Sequence, residues 1–382
     1  MKMQKRKRLW RGSRIVIPAL VLIILLPSLI GLTRVVIACR MWETPTESAQ
    51  GSISTEAAIQ QITQTIPDYA RPEDSTYLTL PEWYVVYSLD EYAAFIAQKP
   101  PSQFPYWQSI NQFWDSWVAV CEVMAGRYPL NGGQQLSNMI VGLNFTTETL
   151  IRGAYESTLG RLTEWLSTSD LTEEDAYNRQ VAKEYGQFIH MIPWFDFPFG
   201  EKLRGLWSET TLWGPNPIRK WERKFVLSAD YGIKAIYAWV IKSGADAVYG
   251  GPDDLQVYAV VAGLNAEMRA NQPELKFIQP IDAKRDLVTL TRFEIFTQIV
   301  PGLTRQGLRF VEIAGNDEIL VTFIAPQGAQ QTFDNAEVIL ALPLPTQPEL
   351  TRVAARMKVS QLHLFLQELV AKNLKLEHIY DY

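Results

Sequence analysis

Residues 308–325 read LRFVEIAGNDEILVTFIA. Two apolar, β-branched runs, Leu308–Ala314 and Glu318–Ala325, flank the triplet Gly315-Asn316-Asp317. Such runs on either side of a Gly/Asn/Asp cluster predict two strands joined as a hairpin. Upstream, Leu287–Phe293 is rich in Val and Thr and predicts a strand. Glu294–Gln306 predicts a helix that carries Pro301. Downstream, Glu337–Leu342 and Thr351–Val359 predict strands that pair around a Pro-rich turn. Ser360 is placed to cap a helix to Lys372, and Leu374–Tyr380 predicts a last strand.

With the extra hairpin set aside, the element order is βαββαβ, the ferredoxin-like plan. The predicted fold class is therefore α+β, with three parts. Residues 1–40 form a basic N-terminus and a transmembrane helix, and 41–54 a linker. Residues 55–271 form a mostly α-helical, aromatic-rich domain, and 284–382 a C-terminal ferredoxin-like domain with an extra hairpin.

The helical region is read from its apolar spacing. Thr79 and Glu82 form a predicted capping box for a helix through about Ala97. Trp107, Ile110, Trp114, Trp117 and Cys121 step by three or four and share one helical face. Asn131-Gly132-Gly133 is a turn before a long helical stretch, about Gln134–Leu166, in which Gly142, Gly153 and Gly160 weaken continuity. Thr172 caps a helix whose first turn, Glu173-Glu174-Asp175, suits the positive end of the dipole. Asn216-Pro217 opens another, with Trp221, Phe225, Ala229, Ile233, Ile236 and Val240 on its apolar face. Asp253-Asp254 is expected to begin the last helix of the region.

The N-terminus carries the strongest single signal. Nine of the 36 basic residues fall within residues 1–40, with no acid among them. Ile15–Thr33 is uncharged and long enough to cross most of a hydrocarbon core of roughly 30 Å. Positive charge concentrated before the run predicts a cytoplasmic N-terminus, with the bulk of the chain beyond the inner (plasma) membrane. A cleaved signal peptide is a competing reading, but its apolar region is shorter. Val36-Ile37-Ala38-Cys39 also resembles the box that precedes the lipidated cysteine of bacterial lipoproteins, although Arg34 interrupts the approach. A single-pass, uncleaved signal-anchor is the reading carried forward.

Past residue 40 the chain is acidic, 41 carboxylates against 27 basic side chains. That balance excludes a nucleic-acid partner, which needs a basic surface. With 47% hydrophobic and 12% aromatic residues, disorder is excluded as well. Only Cys39 and Cys121 exist, so neither a disulfide framework nor a multi-cysteine metal site is expected. Cys39 is assigned to the membrane boundary, and Cys121 reads as a small buried hydrophobe.

Chemistry is sparse. The chain lacks a phosphate-binding loop, a dinucleotide fingerprint, a zinc-protease helix and a nucleophile elbow. No metal or cofactor is predicted, and no catalytic residue is assigned. His190 is a candidate general base beside an aromatic stretch; His363 and His378 read as structural. Glu82, Asp90, Glu91, Glu148 and Glu156 are candidate carboxylates for acid-base work on glycans. Aromatic residues crowd two places. Twelve of the 41 residues from Tyr77 to Trp117 are aromatic, and Trp194, Phe195, Phe197, Phe199, Trp207 and Trp213 form a second group. Core, ligand groove and membrane contact are the three explanations. Candidate ligand or membrane contacts are Trp194, Phe195, Phe197, Phe199 and Trp207. Arg219, Lys220, Arg223 and Lys224 join them, because cations at a helix start oppose its dipole and hint at an anionic partner. The expected function is a non-catalytic envelope binding or assembly module for an amphiphilic ligand, a membrane surface or a protein partner. The alternative is a membrane-anchored enzyme acting on envelope glycans or lipids through carboxylate or histidine acid-base chemistry.

Overall fold

A computed structural model describes residues 25–40, 62–66, 69–72, 74–167, 171–245, 255–329 and 332–382. Helix α1 covers 25–38 and the single turn α2 covers 62–65. Then come α3 (Ser75–Leu78), α4 (Leu80–Ile96), α5 (Tyr106–Met124), α6 (Gly132–Tyr155), α7 (Arg161–Leu166), α8 (Glu173–Phe188), α9 (Phe199–Ser208) and α10 (Pro217–Ala245). The sheet region holds β1 (Gln256–Ala262), α11 (Ala266–Asn271), β2 (Leu275–Pro280), β3 (Arg285–Thr291), α12 (Glu294–Arg305) and β4 (Arg309–Ile313). It continues with β5 (Glu318–Pro326), β6 (Glu337–Leu344), β7 (Gln347–Lys358), α13 (Leu362–Ala371) and β8 (Lys375–Ile379).

The eight strands make two antiparallel four-stranded sheets, ordered β2-β3-β1-β4 and β6-β7-β5-β8. In chain order both sheets place their strands 2-3-1-4. The βαββαβ order thus belongs to residues 256–313, and 318–379 repeats the strand order with a loop in place of the first helix. This corrects the expectation of one sheet with an extra hairpin. The helix expected to open at Asp253-Asp254, a pair outside the described residues, gives way to strand β1, whose alternation of burial is broken by three buried residues in a row. Nor do the runs around Gly315 form a hairpin. Ile313 bridges Asn316 and nothing further pairs, so β4 and β5 diverge into separate sheets. The turn needs Ala314 and Gly315 at positive φ, and a Cβ on Gly315 would come within 2.8 Å of Ala70.

One apolar core joins the sheets. Val261, Leu290, Phe296 and Phe310 of the first meet Val321, Phe323, Phe365 and Ile379 of the second. The opposite face of the second sheet carries Leu320, Ala354 and Tyr380, which pack with Trp83, Tyr84, Tyr87, Phe113 and Trp117 of α4 and α5. The first aromatic group is therefore mainly core. The Tyr87 hydroxyl lies 2.9 Å from both Thr322 Oγ1 and the Tyr380 hydroxyl, which satisfies polar tips inside the seam. The predicted capping box at Thr79 is not made. α3 runs directly into α4, so Thr79 is already helical, and its hydroxyl donates to the Thr76 carbonyl instead.

Among the described residues no helix is long and apolar enough to cross a membrane. The predicted span at 15–33 lies outside them as far as residue 24, and the predicted linker 41–54 lies outside them entirely. Residues 25–33 belong to α1, which lies on α5. Val35 is fully buried, and Gly31 lets the backbone rest on the Trp114 ring. Arg34 pairs with Asp115. Cys39 forms a disulfide with Cys121, 82 positions away. That pairing corrects the separate roles given to the two cysteines, because α1 folds back beside α5. It also occupies the sulfur that the lipoprotein-like box would modify. Loop-closure entropy for a loop of this length is worth about 4 kcal/mol. Cys121→Ala is therefore expected to lower the denaturant-unfolding free energy by about that amount, and a loss below about 1 kcal/mol would contradict the clamp.

Candidate functional site

The most unusual surface is built on α10. Its apolar line has a helical period, and by periodicity alone it should face the core. The structure turns it outward: Phe225 is 72% exposed, Ile233 and Ile236 67%, and Trp239 70%. From Pro217 to Val240 every exposed side chain of α10 is apolar. The inward face carries the charges. Arg219, Lys220, Arg223 and Lys224 are all at most 4% exposed.

Those four cations find their anions within the chain. The segment after α6 makes one π-helical turn, Glu156–Gly160, before α7. Arg223 donates to Glu156 at 2.8 Å and to Glu222 at 2.5 Å. Arg219 reaches Asp175 at 3.0 Å, Glu222 at 3.2 Å and the Gly160 carbonyl at 2.9 Å. Lys220 contacts Glu173 at 2.8 Å and Glu174 at 2.9 Å, and Lys224 donates to Thr210 Oγ1 at 2.7 Å. The acidic first turn of α8 thus serves its own dipole and α10 together. One layer further along, Arg152 and Lys234 bridge Glu148 and Asp230. Burial pushes the Glu222 and Asp230 carboxyls up, but the adjacent cations outweigh it and hold both below the ordinary range. Arg219, Lys220, Arg223 and Lys224 are consequently engaged inside the protein, not presented to an external anion as the sequence suggested.

The second aromatic group divides. Phe197 and Phe199 are buried with Tyr185, Leu206 and Tyr231, so neither is presented as the ligand or membrane contact expected of it. Phe195 is half-buried, and Trp194 stacks on Tyr237 at 5.2 Å. Trp207 is half exposed, with its indole N–H on Ser228 Oγ and the Lys224 ammonium 5.0 Å from its ring. Sequence reading missed the outward face of α6, which carries Leu136, Ile140 and Ile151, and beyond it Leu159, Leu162 and Trp165. Gln135, Asn138, Gly142, Thr146 and Gly153 face inward. Polar and small residues at helical spacing were the available signal. Read as polar-outside, they point the wrong way.

The candidate catalytic groups are held by partners. His190 lies between two carboxylates, Nε2 donating to Asp90 at 2.7 Å and Nδ1 to Glu294 at 3.2 Å. Burial pulls its pKa down, yet the two hydrogen bonds and charges raise it to about 10. Glu294 is lowered by the same bond. A cation therefore ties α4 to α12, with neither ring nitrogen free. His378 is fully buried, stacked 3.5 Å from the Trp83 ring centroid, and driven well below its ordinary value by burial. His363 contacts Arg309. Glu82 accepts from Gln134 and Ser137, and Glu91 pairs with Arg352. Among the described residues no cluster of three metal-ligating side chains occurs. A cleft of about 480 Å³ lies instead at the end of the first sheet, lined by Gly263, Lys284, Arg285 and Arg309.

No protein-family model, curated protein or solved structure matches this chain.

Two outcomes follow from this geometry. Arg223→Met leaves Glu156 buried without its cation and takes one of two from Glu222, and is expected to cost about 3–5 kcal/mol. Phe225→Ala, on the outward face, is expected to change stability in detergent-free buffer by no more than about 0.5 kcal/mol. Equal losses in the two variants, measured by chemical denaturation, would contradict the inverted helix. The second outcome concerns pH. The His190 pKa is raised on folding, so its stabilisation is complete below about 6.5 and is lost as pH rises through about 10. The Tm difference between wild type and His190→Gln should shrink between pH 7 and pH 10.5; a constant difference would refute the ion-paired cation.

Proposed function

We propose that this chain is a single-pass protein of the cell envelope. It is anchored in the inner (plasma) membrane, with its N-terminus cytoplasmic and its bulk on the far side. Three features support the reading. The first 14 residues hold seven basic side chains ahead of the uncharged run 15–33. That run continues into α1, whose outward residues Leu25, Leu26, Leu29 and Ile30 are apolar and exposed. The Cys39–Cys121 disulfide suits an oxidising compartment.

The molecular role is a non-catalytic binding or assembly module. The observation that carries it is the outward apolar face of α10 above its buried ion-pair layer, since a large exposed apolar patch marks an interaction surface. The two sheets read as ferredoxin-like units, the second without its first helix, and serve as the platform that holds the helices. His190 beside two carboxylates favours a second reading, an anchored enzyme using acid-base chemistry on envelope glycans or lipids. A general base needs a free nitrogen at neutral pH, and both nitrogens of His190 are engaged, which supports the binding reading over that one.

The test is the native mass of the full chain extracted in mild detergent. Wild type is expected to carry a reproducible added mass of amphiphile or partner. The double variant Phe225→Glu/Ile236→Glu is expected to lose it with an unchanged circular dichroism spectrum. A bare wild-type mass, with the variant indistinguishable from it, would overturn the proposal.

A further inference from the structure

We infer that the occupant of this face is the hydrocarbon of the membrane, so that α1, α6 and α10 rest side by side in the leaflet on the far side of the bilayer. The inference rests on reading the face as a binding surface and names what it binds. The three helices form one surface. The neighbouring rings of α5 receive both backbones, Trp114 that of α1 at Gly31, and Phe113 with the edge of Trp114 that of α6 at Gly142. Gln135 of α6 donates to Cys39 Sγ at 3.5 Å. Arg152 of α6 meets Asp230 of α10, and Tyr155 donates to Glu222 at 2.6 Å.

Across this surface the outward side chains include Leu29, Ile140, Ile151, Phe225, Ile233 and Ile236. None of the exposed positions of α6 is charged, and its two charged residues, Glu148 and Arg152, pair with α10. Water favours the reverse arrangement, with charges outside and apolar groups within. A protein partner would meet a polar rim and hydrogen-bonding groups at the edges of its patch. Here the apolar character continues onto α1 through Leu25, Leu26, Leu29 and Ile30, with Thr33 and Arg34 as the exposed polar positions of that helix. Trp165 and Trp213, 79% and 74% exposed, stand near the start of α10, the residue type that collects at headgroup level. A helix of 29 residues that exposes apolar side chains on one face fits a position in the plane of the interface.

The experiment uses the full chain in phosphatidylethanolamine/phosphatidylglycerol vesicles. A nitroxide is attached at Ile140→Cys, Phe225→Cys or Ile236→Cys, with Lys284→Cys as the reference; the two native cysteines are joined to each other. These positions lie at the surface, and an unchanged circular dichroism spectrum and retained disulfide qualify each variant. Collision with oxygen is compared with collision with a water-soluble nickel chelate. Lipid contact predicts several-fold greater accessibility to oxygen than to nickel at the three face positions, and the reverse at Lys284. Low accessibility to both reagents, with spin–spin broadening or without it, would mean a second copy or another protein covers the face; that overturns the lipid assignment and leaves the binding reading standing. High accessibility to nickel at all three would leave the face bare in water and overturn both.

Discussion

Arg223 sits fully buried between Glu156 and Glu222, and much of the helical layer is arranged so that it can. A buried guanidinium without carboxylates would cost several kcal/mol, roughly 3–5 for a broken pair. The anions must therefore come from neighbouring elements, and their positions fix how α10 is rotated about its axis. The π-helical turn after α6 supplies Glu156 and the Gly160 carbonyl. The first turn of α8 supplies Glu173, Glu174 and Asp175. Once these charges point inward, the apolar line on the opposite side of the helix has nowhere to go but out. The inverted helix is a consequence of where the carboxylates stand.

The sheets supply rigidity to that layer. Their shared core holds the two four-stranded units together, and the seam of Tyr87, Thr322, Tyr380 and Arg352 fixes α4 against the second sheet. His190 adds a cation between α4 and the start of α12. On the other side the disulfide and Gly31 hold α1 against α5. The apolar face is thus assembled on a framework that gives its helices little freedom to turn their side chains inward.

Local structure was largely legible. The Thr172 cap, the Pro217 start and all six strands read after residue 284 appear close to their expected bounds, because caps, proline and β-branched runs act through the local backbone. Three readings failed where a distant partner decided. Strands β1 and β2 were missed, because short apolar runs such as 256–262 fit a buried helix as well as a strand until a neighbouring strand pairs with them. The turn at Gly315 was seen, but not that its strands part, since hairpin pairing competes with pairing to β1 and β7. The cation cluster of α10 was noticed for the right reason, an opposed dipole, and assigned outward because its carboxylates other than Glu222 are 44 to 67 positions away.

By itself the sequence determined the periods: which stretches coil, which extend, and that α10 has one charged side and one apolar side. A helix is nearly symmetric in this respect, since either stripe satisfies the backbone equally. Which stripe faces the protein is a contest between apolar burial and the pairing of charges, and only the tertiary placement of Glu156, Glu173, Glu174 and Asp175 decides it. The same holds for Cys39 and Cys121, whose identity the chain states and whose meeting depends on α1 folding back along α5.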